Sequence, residues 1–429
     1  MDMQINDEIE VKIEQISNLG KGYGFYDDGR KIFVSKTMSG DIVKAKIIKI
    51  NSKFYGANLL EILQPSAERV DAPCRYFAEC GGCELQHLSG DDYKEFKKNI
   101  IVKYFSKIGL PDSKIDWFWL KEKMRRRSTF HINKSGNVGY YKKHSNDLIA
   151  IKNCLILEPE IDSLIKDFSA IFSSAKISPF YKVVITNFDN GVAIDLLHLG
   201  SRPEIDLDQN LVDFCQKNES IISLRYVGKK TKQIFFRQGP KLTINNFEIS
   251  VENDIFIQST KEGQDIINKV IFDFISSKSD ANNIIDLYSG VGSYAFNLVG
   301  LDSIKKISCF EINRKMTQVV VDNILRNDFK KISANSRNLA IKPIFNQDLK
   351  NYDLAIINPP REGAKEQIVQ IVKSEIKYVI MISCNIDSFA RDISALLRAG
   401  YKEIKTVAID QFYYSHHLEI ISILTHEKP

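Results

Sequence analysis

The chain has 429 residues, 44% hydrophobic and 26% charged, with seven cysteines and a net charge of +5. That length exceeds one hydrophobic core and predicts two or three domains, and the composition is that of an ordinary globular protein without repeats or low-complexity tracts. No apolar run approaches the ~20 residues that span a bilayer, and the start Met1 to Glu8 has no basic region followed by an apolar stretch, so a cytoplasmic protein with no membrane partner is expected.

Residues 5 to 65 predict short strands. Ile9, Val11 and Ile13 alternate with charged residues, turn signals follow at Asn18-Leu19-Gly20 and Asp27-Asp28-Gly29, and further strands fall at Lys31–Val34 and Asp41–Ile50. With no helical pattern between them, a small β-barrel is the economical fold, and such barrels often hold nucleic acid. Pro65 to Pro73 breaks the pattern as a linker into a cysteine-rich turn. A helix over Tyr93–Ile108 follows, ended by Gly109-Leu110-Pro111.

Residues 121–144 carry eight Lys or Arg (Lys121, Lys123, Arg125, Arg126, Arg127, Lys134, Lys142, Lys143) against the single acid Glu122. Interleaved with Phe130, His131, Tyr140 and Tyr141, they predict a surface for phosphates and stacked bases, with a merely solvated charged face as the competing reading. Residues 125–255 mix strands such as Tyr181–Ile185 and Val192–Leu196 with helices and predict an α+β middle domain. The expected division is 1–65, 66–255 and 256–429.

From about residue 260 strands and helices alternate. Apolar runs at Asn283–Leu287, Lys306–Phe310, Leu354–Ile357 and Tyr378–Ile382 are separated by helical patterns at Thr260–Ile275, Arg314–Arg326, Glu366–Lys373 and Asp387–Arg398. This predicts an α/β fold with a Rossmann-like parallel sheet covered on both faces. Glu403–Ile409 and Glu419–Leu424 lack a helix between them, so the sheet is expected to end in an antiparallel pair.

Two strand ends in this region carry chemistry. Ligands of open α/β sheets bind at the carboxyl ends of the strands, and Cys384 stands where the Tyr378–Ile382 run ends and a helix begins. A thiol beside a helix N-terminus is expected to have a lowered pKa and to attack electrophiles; the plain alternative is a space-filling core cysteine. Asn283 to Phe296 reads as strand, glycine turn and helix start, with Gly290 and Gly292 letting backbone approach a ligand. Glu311, at the end of the next strand, is placed to accept hydrogen bonds from a ribose. The third glycine of the dinucleotide fingerprint is missing, which favours a nucleoside ligand without a pyrophosphate, and S-adenosylmethionine fits. Asn358-Pro359-Pro360-Arg361 at the end of the fourth strand is a candidate substrate contact or a simple turn.

Cys74, Cys80 and Cys83 put three thiols within ten residues, with Cys154 available as a fourth. In a cytosolic chain these predict a metal centre rather than disulfides; the spacing favours a [4Fe–4S] cluster over zinc and leaves both open. Cys215 and Cys309 read as core residues.

Taken together, these residues resemble the RNA uracil-C5 methyltransferases, most closely the RlmD type acting on 23S ribosomal RNA, over nearly the whole length. The resemblance implies a TRAM barrel at 5–65, cluster ligation by Cys74, Cys80, Cys83 and Cys154, and cofactor contact by Phe256-Ile257-Gln258. It matches Ser383-Cys384-Asn385 with Ala390-Arg391-Asp392 to the nucleophile motif and His417-Leu418-Glu419 to the terminal motif. Cys384 would then add to uracil C6 and Glu419 would remove the C5 proton. Gln258, Tyr288, Ser293, Glu311, Asn338 and Asn358 would contact S-adenosylmethionine with Gly290 and Gly292. The expected partner is RNA, 23S ribosomal RNA ahead of transfer RNA, bound by a monomer with the target base flipped out.

Two departures stand out: Asn358 where the family has Asp, and Phe412-Tyr413-Tyr414-Ser415 where it has Phe-Pro-His-Thr. An amino methyltransferase is the rival enzyme, since Asn-Pro-Pro also suits its active-site turn, although Arg361 stands where its stacking aromatic belongs. A catalytically impaired RNA-binding or assembly protein is the non-enzymatic rival.

Overall fold

The computed structural model describes residues 3–143, 145–174, 181–198 and 205–426. It divides into two compact units, one formed by Met1–Lys103, Tyr140–Ile149 and Phe412–His416, the other by Tyr104–Gly139, Ala150–Gln411 and His417–Pro429.

In the first unit, strands Glu8–Lys12, Gln15–Ile16, Lys21–Phe25, Lys31–Ser35, Ile42–Ile50 and Phe54–Gln64 form one six-stranded sheet. The alternation seen in the sequence sends Val11, Ile32, Val34, Val43, Ala45, Ile47, Tyr55 and Ala57 into a common core. One strand set supplies that whole core, so the sheet curls round itself as a small barrel does. Gly22 and Gly24 permit the curl: a Cβ would meet the Thr37 hydroxyl at 2.2 Å at the first and the Lys12 carbonyl oxygen at 2.2 Å at the second.

The second unit holds an eight-stranded sheet in the order Ile332–Ser336, Lys306–Glu311, Asn283–Leu287, Leu354–Ile357, Tyr378–Ser383, Glu419–Thr425, Lys402–Ile409, Ile115–Phe118. The first five strands are parallel. Glu419–Thr425 then pairs antiparallel on both sides. Chain order reverses at Asn283–Leu287, whose neighbours are Lys306–Glu311 and Leu354–Ile357, and such a switch point opens a ligand crevice beyond the strands' carboxyl ends. The central strands read as continuous apolar runs because both faces are covered; Tyr378–Ser383 is buried at all six positions.

Two expectations are corrected here. The sheet does not end in the antiparallel pair, because Ile115–Phe118 adds a parallel strand beyond Lys402–Ile409. The basic run is only partly a surface: Arg126 is buried, its guanidinium 3.5 Å from Asp189 and donating to the Gln258 carbonyl at 3.0 Å. Arg127 donates to the Ile255 carbonyl, and Phe130 lies in the core. Antiparallel ladders join Arg127–Ile132 to Tyr181–Phe188 and Tyr181–Phe188 to Gly191–His198. Cys215 and Cys309 are buried core residues, as expected.

Candidate active site

The glycine turn after Asn283–Leu287 is held open by unusual backbone. Tyr288, Gly290 and Gly292 have φ of 62°, 56° and 78°, and a left-handed tyrosine is the kind of local strain that clusters at ligand sites. A Cβ on Gly290 would meet no atom within 4 Å, whereas one on Gly292 would sit 3.2 Å from Phe296 and Val320. The first glycine therefore faces open space and the second a packed core. Glu311 stabilises the turn, accepting from the Gly290 amide at 3.0 Å and from the Asn313 amide at 2.8 Å.

Asp286, the penultimate residue of the same strand, is fully buried, and neither carboxylate oxygen has a hydrogen-bond partner among the described residues. Burial pushes its carboxyl well above the usual range, with the Glu311 charge adding to the effect. An orphaned acid beside an open glycine turn suits a ligand carrying both a cation and donor groups. S-adenosylmethionine, with its ammonium and its ribose hydroxyls, is such a ligand. Asn338 follows the strand Ile332–Ser336, and its side chain accepts from the Ala340 amide at 3.1 Å. Asn358 directly follows the strand Leu354–Ile357 and donates to the Tyr294 hydroxyl at 2.7 Å. Gln258 is buried, Ser293 opens the helix Ser293–Leu298, and Phe256 is exposed.

Strand register sets Cys384 near Glu419. The antiparallel ladder ends at Ser383↔Ile420, so Cys384 and Glu419 each lie one residue from its last pair, and the Glu419 charge acts on the Cys384 thiol. The helix Ile386–Arg398 begins directly after, because Asn385 caps it by accepting from the Asp387 amide at 3.0 Å. The same Asn385 donates to the Arg361 carbonyl at 2.9 Å, and buried Asp392 accepts from the Ala364 amide at 2.7 Å. Those two bonds pin the Pro359–Ala364 turn to the helix and fix Arg361, whose guanidinium lies 3.4 Å from the His417 ring nitrogen.

The expected acidic thiol is not what these surroundings produce. Burial and the Glu419 charge push the Cys384 thiol up to about 11, with the Arg361 charge and hydrogen bond acting in the opposite direction. The helix start is outweighed by desolvation. Glu419 is 3% exposed, and burial pushes its carboxyl up to about 7 against a hydrogen bond from Gln411. Sequence reasoning assigned no role to Asp286, Tyr294 or Gln411. The apolar run into the glycine turn and the position after Lys402–Ile409 were the only signals for them.

In the first unit, Cys74, Cys80 and Cys83 are part-exposed and in no disulfide, as is Cys154 in the second. The Lys36 ammonium donates to the carbonyls of Phe77, Ala78 and Cys80, and the Gly82 amide donates to the Cys80 sulfur at 3.4 Å. Thiolate chemistry suits iron or zinc. Among the described residues, however, no three His, Cys, Asp or Glu side chains converge as a group able to hold a metal ion.

A parallel sheet with a switch-point crevice, an open glycine turn and an orphaned acid defines the α/β class that binds S-adenosylmethionine. The chain belongs within that class to the tRNA (Uracil-5-)-methyltransferase family, whose model matches residues 91–427, and a TRAM domain matches residues 3–60. Among curated relatives, an "Uncharacterized RNA methyltransferase" of Caulobacter vibrioides is 26% identical over 97% of this chain and 99% of its own length. A "23S rRNA (uracil(1939)-C(5))-methyltransferase RlmD" of Shewanella halifaxensis is 25% identical over 98% and 96%. The solved tRNA (uracil-54, C5)-methyltransferase of Pyrococcus abyssi, in complex with S-adenosyl-L-homocysteine, has the same fold: TM-score 0.74, 18% identity, 97% of this chain and all of that one covered. Among the described residues no helix is long and apolar enough to cross a membrane.

Proposed function

We propose that this protein methylates uracil C5 in RNA, with 23S ribosomal RNA as the substrate and transfer RNA as the second reading. The observation that supports the reaction is a thiol, Cys384, one residue past the last ladder pair Ser383↔Ile420, beside which the buried carboxyl of Glu419 begins the partner strand and acts on that thiol by its charge. An amino methyltransferase needs neither group. The relative acting on 23S rRNA favours the first substrate, and the Pyrococcus neighbour acting on tRNA keeps the second open. The barrel and the exposed part of the basic run would hold the RNA for a monomer working in the cytoplasm, with 1–65, 66–255 and 256–429 as barrel, middle and catalytic segments of the chain.

Uracil C5 is a poor nucleophile, so a thiolate must first add at C6. Cys384 forms that bond, aided by the Arg361 guanidinium, which favours the charged sulfur. The electron pair displaced from the C5=C6 bond makes C5 able to take a methyl group. S-adenosylmethionine supplies an electrophilic methyl when bound; Gln258, Tyr288, Gly290, Gly292, Ser293, Glu311, Asn338 and Asn358 would hold it. Glu419 then takes the C5 proton, which restores the double bond and expels the Cys384 thiolate. A carboxyl near 7 is well matched to that proton transfer at neutral pH.

Nucleoside mass spectrometry of RNA fractions from a strain lacking the gene tests reaction and substrate together. Loss of 5-methyluridine from 23S rRNA supports the first reading and loss from tRNA the second; unchanged 5-methyluridine in both favours the impaired RNA-binding protein. We also propose that Cys74, Cys80, Cys83 and Cys154 ligate a [4Fe–4S] cluster, on the strength of their spacing. Anaerobically purified protein is expected to carry about four irons per chain; stoichiometric zinc without iron overturns that assignment.

A further inference from the structure

We propose that Gln411 is a positioning residue that orients Glu419 for removal of the C5 proton and ties it to Gln258, an inference that rests on the uracil-C5 reading above. Gln411 lies two residues past Ile409, whose partner across the ladder is Glu419. Both side chains are almost fully buried, Gln411 at 4% and Glu419 at 3% exposure. The Gln411 amide nitrogen donates to a Glu419 oxygen at 2.6 Å and to the Gln258 side-chain oxygen at 3.1 Å. Those two bonds use both amide hydrogens.

The orientation of this amide is fixed by its surroundings. Its oxygen faces the Thr260 hydroxyl at 3.5 Å, and that hydroxyl oxygen accepts from the Gly263 amide at 3.0 Å, which leaves its own hydrogen for Gln411. A flipped amide would set a carbonyl oxygen 2.6 Å from the carboxylate, a repulsive contact, so the network selects one arrangement. Thr260 caps the helix Lys261–Ser276 and thereby anchors the relay to a rigid element. Gln258 in turn reaches the Tyr294 hydroxyl, to which Asn358 also donates. One glutamine thus joins the proposed base to two proposed cofactor contacts, Gln258 directly and Asn358 through Tyr294.

Glu419 accepts from the Gln411 amide, and its charge acts on the Cys384 thiol just past the neighbouring strand and on the Tyr294 hydroxyl of the glycine-turn helix. Arg361 acts on Cys384. Of these groups the neutral amide is the donor that steadies the charged carboxylate, so its loss leaves a buried base that holds its proton too tightly. In the affected step the C5–H bond breaks and its proton goes to a Glu419 oxygen. The electron pair forms C5=C6, and the C6–S bond breaks to return the thiolate.

The test compares wild type, Gln411→Met and Gln411→Glu as full chains, with melting curves to confirm folding. The substrate probe is RNA extracted from a strain lacking the gene. Single-turnover formation of 5-methyluridine is followed from about pH 6 to about pH 9. The acid limb of the profile is expected to move up by about one pH unit in Gln411→Met, and further in Gln411→Glu, where two carboxyls share a proton. Below the limb a covalent protein–RNA species accumulates. Transcripts carrying 5-fluorouridine have no C5 proton to lose, so in Gln411→Met, which adds no charge beside Cys384, the pH dependence of trapping at saturating S-adenosylmethionine should not follow the shifted acid limb of turnover. Superimposed acid limbs of turnover, or a trapping profile in folded Gln411→Met that shifts as far as its turnover profile, overturns the proposal. If wild type itself neither methylates nor traps, the uracil-C5 reading has failed and takes this inference with it.

Discussion

Cys384 shows how far a local rule reaches. The position of Cys384 at the carboxyl end of a central strand was legible from the apolar run before it, and strand ends of parallel sheets are where ligands bind. Its acidity was not legible, since desolvation and the Glu419 charge come from residues distant in sequence and push the thiol up to about 11. Arg361 is the group that works against them. Arg361→Met should therefore lower the thiolate fraction and slow iodoacetamide alkylation of Cys384 at pH 8 by about tenfold, one pH unit of thiol acidity. An unchanged alkylation rate would remove Arg361 from thiol activation. Gln411 had no sequence signature, because a polar residue just past a strand resembles many solvated ones; only its burial and its two acceptors distinguish it.

Elements were legible where burial is two-sided. Asn283–Leu287, Lys306–Glu311, Leu354–Ile357 and Tyr378–Ser383 stand in the middle of the sheet and read as apolar runs. Ile332–Ser336 and Ile115–Phe118 are edge strands, with one ladder neighbour and solvated faces, so their sequences Ile-Ser-Ala-Asn-Ser and Ile-Asp-Trp-Phe carry no such run. The basic segment misled for a related reason: charge predicts a surface, yet Arg126 is drawn inside by Asp189 and the Gln258 carbonyl. The glycine turn yields a separate test. A Cβ at position 290 meets no protein atom but projects into the open crevice at a φ of 56°. Gly290→Ala should cost about 1 kcal/mol of stability from the left-handed backbone while weakening S-adenosylmethionine binding by about tenfold or more, measured by thermal melts and calorimetry on the same preparation. Binding that survives intact would move the cofactor away from this turn.

At the scale of the molecule, the buried carboxyl of Glu419 leaves a mark on folding. Glu419 has its carboxyl raised from 4.5 to about 7, so the folded chain binds more protons than the unfolded one between those values. Its contribution to stability is fully present below pH 4.5, fades as pH rises through the window and is lost above about 7. The loss is on the order of 3 kcal/mol. Glu419→Gln cannot titrate, and its stability relative to wild type should therefore grow between pH 5 and pH 8 in parallel denaturation experiments. A constant difference across that range would mean that Glu419 titrates as an ordinary exposed carboxyl. The same substitution should leave bound RNA attached through Cys384, because the step that releases it is lost.

The central claim is a bond between the Cys384 sulfur and C6 of a uracil, and trapping it is the most direct measurement. Protein shown to bind S-adenosylmethionine is incubated with 5-fluorouridine-containing 23S rRNA and tRNA transcripts, resolved under denaturing conditions and digested for peptide mass spectrometry. The account predicts a denaturation-resistant complex whose modified peptide carries methylated fluorouracil on Cys384, absent in Cys384→Ala. A cofactor-loaded protein that binds the transcripts and never forms that species, or forms it through another residue, contradicts it.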